Sequence, residues 1–191
     1  MKKKHKVLAL ALSGVILIAG AITGVIAYLT HQTPEKENVF VVGDINLTLT
    51  ESENLDLTLI PDTTVKKDPV LTVEKDSVDC YAFVTVKKTD NFDNFATYSI
   101  ASGWTKYTGS TYDELDEGCD IYYRTVSSAT TDQSFQILTN NEVTVVDFDK
   151  ATVEAYGSTQ PKLTFTGYAV QKEGIDDPSI AWATIYSELY E

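Results

Sequence analysis

Residues able to do chemistry are few in this chain. It contains two histidines, His5 and His31, and two cysteines, Cys80 and Cys119. A zinc peptidase needs clustered ligands such as His-Glu-x-x-His, which place two imidazoles on one face of a helix. There is no Gly-x-Ser-x-Gly motif, and beyond the N-terminal segment only His31 could act as the base beside a serine or cysteine nucleophile. The sequence therefore predicts no catalytic site, no metal centre and no cofactor.

Two other features could bind a ligand. The acidic loop Asp113–Asp120 lacks the Asp-x-Asp-x-Asp-Gly order of a calcium-binding loop, so we interpret it as a solvated loop. Aromatic residues near this loop could form a platform on which sugars stack, although packing inside a sandwich or at its edges is the commoner use of such residues. These aromatic residues are Trp104, Tyr107, Tyr112, Tyr122 and Tyr123.

The two cysteines allow two interpretations. Outside the cytoplasm, an even pair permits a disulfide between Cys80 and Cys119. Each cysteine adjoins a stretch with strand character, so the two could face one another across neighbouring strands. The alternative is two buried thiols that pack as small apolar groups. The order of the strands decides between these interpretations, and the sequence leaves both open.

The N-terminal segment indicates where the protein works. Four lysines precede an apolar run, Val7–Leu29, which is the pattern of an export signal. The small residues Val25 and Ala27 place the expected cleavage between Ala27 and Tyr28. No cysteine follows the run, so we do not expect a lipid anchor. We therefore expect a signal peptide over residues 1–27, a secreted mature protein, and contact with a membrane only through an uncleaved signal.

The intact mass of the secreted protein tests this cleavage. We expect the mass of a chain that begins at Tyr28, because the polar sequence starts directly after the small residues at the end of the apolar run. A mass that retains residues 1–27 would mean that the run stays in place as a membrane anchor.

Two stretches around this cleavage site resemble the start of a known family. They are Gly24-Val-Ile-Ala-Tyr-Leu-Thr30 and Asn38-Val-Phe-Val-Val-Gly-Asp-Ile-Asn-Leu-Thr-Leu49. They are similar to the TasA/camelysin (CalY) family of bacterial proteins, which are exported through a signal peptidase of the SipW type. The resemblance implies a jelly-roll-like sandwich and subunits that assemble into extracellular biofilm fibres. Camelysin-like proteins have also been labelled metallopeptidases, a role that a single histidine after the signal does not favour.

The charge of the exported part excludes one class of function. Without residues 1–27 the chain keeps 11 basic and 28 acidic side chains, so its net charge is 11 − 28 = −17. Binding to nucleic acid needs a basic face, so we expect no nucleic-acid partner. The mature chain is long enough for one domain with a full core.

Apolar periodicity after the signal predicts mainly strands. Ile45, Leu47 and Leu49 alternate with polar residues, the period of a half-buried strand. Cys80–Lys87 has two apolar faces, which predicts a central strand covered on both sides. Asn140-Asn141 lies between two further apolar runs and predicts a hairpin.

Helices are expected only as short insertions. Asp147–Tyr156 and a segment that opens at Asp177-Pro178 carry the N-cap signals of helices. In total we expect about nine strands in an antiparallel two-sheet sandwich, jelly-roll-like, with two or three short helices. This single β-sandwich domain should occupy residues 43–191.

Residues 28–42 are expected to form a flexible N-terminal arm that ends in the apolar run Val39, Phe40, Val41 and Val42. Such a segment can dock on its own domain or complete the sheet of a neighbour, and the sequence leaves both open. The expected function is that of a non-catalytic, secreted protein of the cell surface or extracellular matrix that forms a head-to-tail homopolymer through this arm. Its other partner would be the signal peptidase during export. The alternative is a monomeric adhesin that binds a carbohydrate or a protein.

Overall fold

The computed structural model describes residues 38–40, 45–52, 59–112, 115, 117–156 and 159–190, all of them in the unit Glu37–Glu191. The expected signal peptide lies outside the described residues. The same is true of Leu55 and Leu57, whose alternation with polar residues also predicts a strand. Within the described part the chain is mainly β, as predicted.

Eleven strands and two α-helices make up the described regular structure. The strands are β1 (Asn38–Phe40), β2 (Leu47–Thr50), β3 (Thr64–Lys66), β4 (Val70–Val73), β5 (Cys80–Lys88), β6 (Ala96–Thr97), β7 (Thr105–Lys106), β8 (Cys119–Val126), β9 (Gln133–Gln136), β10 (Glu142–Val145) and β11 (Leu163–Gln171). The helices are α1 (Lys150–Tyr156) and α2 (Pro178–Tyr190), and single 3-10 turns span Phe92–Asn94 and Thr139–Asn141.

The strands form three sheets that share one core. A five-stranded sheet has the order β1-β11-β5-β8-β7, and its strands are antiparallel except that β1 runs parallel to β11. Two antiparallel sheets, β2-β4-β9 and β3-β10-β6, supply the other layer. Leu71 from β4, Val143 from β10 and Val84 from β5 belong to one buried cluster. The fold is therefore a β-sandwich whose second layer is divided into two small sheets.

Strand β5 is central and covered on both faces, which confirms the prediction from its two apolar faces. Its residues are buried from Cys80 to Val86. Ala82 and Val84 belong to the core between the sheets, whereas Tyr81 and Phe83 belong to a second core on the opposite face. Successive residues of a strand point to opposite faces, so a strand with no polar face must be covered twice.

Helix α2 covers the second face of the five-stranded sheet. Ala181, Trp182 and Ile185 are all fully buried in this second core. The helix begins as predicted at Pro178, and the Asp177 carboxylate accepts a hydrogen bond from the backbone N–H of Ser179 at 2.7 Å. The N-cap and the proline at the first helical position thus fix where this cover begins.

The shorter helix α1 ends at Tyr156 as predicted but begins at Lys150, three residues after the expected start at Asp147, and Asp149 caps its first turn. The Asp149 carboxylate accepts a hydrogen bond from the backbone N–H of Thr152 at 2.9 Å, which satisfies one of the free donors of the first turn. These hydrogen bonds from Thr152 hold the pKa of Asp149 below its usual value. The helix buries none of its residues, so it depends on local interactions of this kind.

The hairpin predicted at Asn140-Asn141 is wrong. Strand β9 pairs with β4, whereas β10 pairs with β3 and β6, so the two flanking strands lie in different sheets. The turn has the expected left-handed backbone, with φ of 55° at Asn140 and 56° at Asn141. Ile137 and Leu138 just before it are both fully buried, so the chain passes through the core from one small sheet to the other.

Candidate functional site

Strand β1 forms one edge of the five-stranded sheet. It pairs on one side only within the described part of the chain, with β11. The registered pairs are Asn38 with Gly167, Val39 with Tyr168, and Phe40 with Ala169. Because β1 has this single neighbour, its removal would leave every other described strand pair unchanged.

Two of the three β11 residues beside β1 are small. A Cβ atom added at Gly167 would meet Leu71 Cδ1 at a separation that real Cβ atoms do not show. Leu71 is fully buried, so it has little room to move. Gly167 is therefore required by the close approach of the opposite sheet.

The Gly167→Ala variant should lose about 1–3 kcal/mol of unfolding free energy, because the added methyl group overpacks the core against Leu71. Urea denaturation measures the loss. Thr164→Val, at an exposed position of the same strand, is the control and should change stability by less than about 0.5 kcal/mol. Adding Leu71→Val should recover part of the loss as a coupling between the two sites. Unchanged stability in Gly167→Ala would show that the approach is not restrictive.

The residues predicted to act in self-association fall partly inside the described structure. Val39 and Phe40 lie in β1, so this part of the expected arm docks on its own domain here. Val41 and Val42 lie outside the described residues, as do Ala27 and Tyr28 of the expected cleavage site. Of the two options that the sequence left open for the arm, the structure of the single chain shows docking at home.

Cys80 and Cys119 lie at opposite ends of two neighbouring strands. Cys80 of β5 is registered with Val126, whereas Cys119 of β8 is registered with Lys87. Seven residues along the strands separate them, which at about 3.3 Å per residue is about 23 Å. A disulfide needs Cα atoms within about 7 Å, so the two cannot be joined within one chain. Cys80 is instead a buried thiol, and burial, then the charge of Asp79, raise its pKa to about 11.

The described residues contain no group of three or more His, Cys, Asp or Glu side chains that could hold a metal ion. One serine does contact a lysine and a carboxylate. Ser52 Oγ donates to Asp68 Oδ1 at 2.7 Å and accepts from Lys66 Nζ at 3.1 Å. Lys66 Nζ also forms a salt bridge with Asp68 at 2.8 Å, and its hydrogen bond, followed by those of Ser52, lowers the pKa of Asp68. These contacts join Ser52, which follows β2, to Lys66 of β3 and to Asp68 just after it.

The aromatic residues considered as a sugar platform are divided between the two faces of β8. The Tyr123 ring lies 5.8 Å from that of Phe83 on the helix side, and the buried Tyr107 ring lies 6.2 Å from the same ring. Tyr112, also on that side, stacks on a tyrosine of α2 at 4.2 Å. Tyr122 packs against the core between the sheets. Side chains alternate along a strand, so these residues do not form one platform.

Trp104 belongs to a cluster with the only arginine of the sequence. Arg124 Cζ lies 5.3 Å from the centre of the Trp104 ring and 3.6 Å from that of Phe135, so the guanidinium makes cation–π contacts with both. Gly103, with a φ of +89°, leaves room for the guanidinium. Burial lowers the pKa of Arg124. Sequence reasoning missed this cluster because its members come from three separate segments, although a lone arginine within a strand was a signal.

The acidic loop is described only in part, at Leu115 and residues 117–120. Its last residue, Asp120, accepts a hydrogen bond from Lys106 Nζ at 2.7 Å, so this carboxylate is paired with a lysine. Asp113, Glu114 and Asp116 lie outside the described residues.

Comparisons with known proteins identify no family for this chain. No model of a protein family matches the chain. No curated protein and no solved structure matches it either. In the part of the chain that the structure describes, none of the helices has the length and apolar character needed to cross a membrane. The resemblance to the TasA/camelysin family thus stays a prediction from the two sequence stretches that carry it.

Proposed function

We propose that this chain is a non-catalytic, exported protein of the cell surface or extracellular matrix, of the TasA/camelysin type. Its subunits would join head to tail, each by donating β1 to the sheet of the next. The observation that carries the proposal is the position of β1, a three-residue parallel strand at the edge of the sheet.

The donor strand is weakly held in its own domain. It is three residues long and pairs with β11 alone among the described strands. Parallel pairs are slightly less stable per residue than antiparallel pairs. A β1 from another copy would make the same registered pairs, so exchange conserves the native contacts. Little free energy therefore separates docking at home from docking on a neighbour.

The acceptor strand does not depend on β1. All nine residues of β11 pair with β5, from Leu163 with Lys88 to Gln171 with Cys80. On its helix side, Tyr168 packs edge-on against Trp182 with ring centroids 5.4 Å apart. When β1 leaves, β11 therefore stays in place with a row of unpaired backbone groups, which is a template for an incoming strand.

A cysteine pair at registered positions of β1 and β11 tests the donation. The variant carries Phe40→Cys and Ala169→Cys, and its native thiols are removed by Cys80→Ala and Cys119→Ser. The two new cysteines are registered partners on strands about 4.8 Å apart, a spacing within the range of a disulfide. Oxidation of dilute monomers should lock β1 at home and stop assembly, and a reductant should restore assembly. The reduced form of the same protein is the control.

Oxidation after assembly gives the complementary result. If β1 is donated, the disulfide joins different chains, and a non-reducing gel should show a ladder of covalent oligomers. A single monomeric band from assembled material would contradict strand donation, as would undiminished assembly of the locked monomer.

A further inference from the structure

A groove of about 350 Å³ lies toward the edge of the five-stranded sheet that is opposite β1. One wall is β8, and the other is the segment from β6 to Ile100. That segment belongs to the opposite layer, because β6 pairs with β10 and Ile100 bridges to Leu138. The groove is therefore an opening between the two layers of the sandwich.

Each wall of the groove contributes one aromatic residue. Tyr98 comes from one layer and Tyr122 from the other, Ile100 lies in the same segment as Tyr98, and all three are half-buried. Tyr98 is fixed by Phe92, whose ring lies edge-on to it at 6.0 Å. Burial raises the pKa of both tyrosines. A tyrosine hydroxyl can donate as well as accept hydrogen bonds. Each ring thus combines an apolar face with a polar tip.

The three charged residues that line the groove, Lys88, Asp93 and Asp120, are all in ion pairs. Asp93 forms an ion pair with Lys88, and Asp120 forms one with Lys106 at 2.7 Å. The two pairs sum to zero charge, although the exported chain as a whole has a charge near −17. A cationic ligand would meet carboxylates that already have partners, and an anionic ligand would meet lysines that already have partners. The groove therefore favours a ligand without net charge.

We infer that this groove binds a neutral carbohydrate of one or two sugar rings. The C–H faces of a sugar pack on aromatic rings, and its hydroxyls donate to carboxylates and accept from ammonium groups without disturbing the charge balance. Thr97 adds a hydroxyl to the lining. The volume lies at the lower end of the range of about 300–1,000 Å³ found for ligand pockets, which suits a short saccharide.

This inference does not depend on polymerisation, because β1 and the groove lie at different edges of the sheet. If the subunits do polymerise, each would present one groove, and a polysaccharide that spans several grooves would be held more tightly than a short one.

Saturation-transfer NMR on the full mature chain tests the inference with neutral trisaccharides as probes: maltotriose, cellotriose, mannotriose and triacetylchitotriose. We expect transfer to at least one of them. Tyr98→Leu should abolish that signal, because leucine keeps an apolar contact with Phe92 but removes the aromatic face and the hydroxyl. Asp120→Asn should weaken the signal. The Asp120 side chain is partly exposed, so this variant should stay folded and keeps the test decisive if Tyr98→Leu is unstable.

Matched controls lie outside the groove. Tyr156→Leu removes an exposed tyrosine, and Glu154→Gln breaks an exposed pair with Lys150, so neither should change the signal. The inference is overturned if no neutral trisaccharide shows transfer or if both groove variants bind like the parent. It is also overturned if an oligogalacturonate binds in the groove and the neutral probes do not.

Discussion

Removal of residues 28–42 from the chain without residues 1–27 should abolish its proposed self-association and leave a folded domain. The deletion takes away β1, an edge strand that pairs with β11 alone among the described strands. Of the ten described strands that remain, only β11 loses a partner, and it keeps its nine pairs with β5. Light scattering measures association, and circular dichroism reports on the fold.

A shorter deletion is the matched control for this experiment. Removal of residues 28–36 takes away the charged spacer but keeps β1 and its link to the domain, so association should persist. For the parent chain, association should rise with salt. The net charge of the chain, near −17, makes subunits repel one another, and salt limits the range of this repulsion to about 8 Å at physiological ionic strength. Equal association of the parent and the 28–42 deletion would show that the arm is not the connector.

Trp182→Ala should have the largest effect on stability, a loss of about 3–5 kcal/mol of unfolding free energy. Trp182 is fully buried, and its ring lies 4.9 Å from Phe83, 5.4 Å from Tyr168 and 6.1 Å from Tyr107. It is thus the centre of the core between α2 and the sheet. Domains have only about 5–15 kcal/mol of stability in total, so the variant should be largely unfolded on modest heating.

Ile180→Ala on the same helix is the control for this variant. Ile180 is 55% exposed, so its truncation should change the free energy of unfolding by less than about 0.5 kcal/mol. Chemical denaturation measures the free energy of unfolding of each variant. Tyrosine and tryptophan fluorescence monitors unfolding of the parent and of Ile180→Ala, and circular dichroism monitors Trp182→Ala, which lacks the buried tryptophan. Similar losses in the two variants would mean that α2 is not docked through Trp182.

The two proposals concern different parts of one sheet. Strand β1 lies at one edge, and the groove beside Tyr98 and Tyr122 lies toward the other. A subunit that gives its first strand to a neighbour would keep its groove unchanged, because none of the residues that line the groove belongs to β1 or β11. Polymerisation and the binding of a short saccharide, which fits within one groove, can therefore be measured in the same preparation.

The sequence by itself determined the local structure of the domain. Alternation at Leu47 and along Cys80–Val86 predicted strands because a strand presents successive side chains to opposite faces. Asp177 predicted the start of α2 because a carboxylate satisfies the free N–H groups of the first turn, whereas the start expected at Asp147 lies three residues before that of α1. These signals depend on residues within a few positions of each other. They led to the mainly β class and to a central β5 covered on both sides.

Only the tertiary structure decided which elements are neighbours. The period of a strand shows which residues face a core, but it does not show which strand lies alongside. For that reason the sequence could not separate Cys80 from Cys119, assign α2 as the cover of Phe83, or place β1 beside β11 at the far end of the chain. The groove arises in the same way. Tyr98 and Tyr122 become its walls because strand pairing brings two layers together there, and that pairing is fixed by long-range packing.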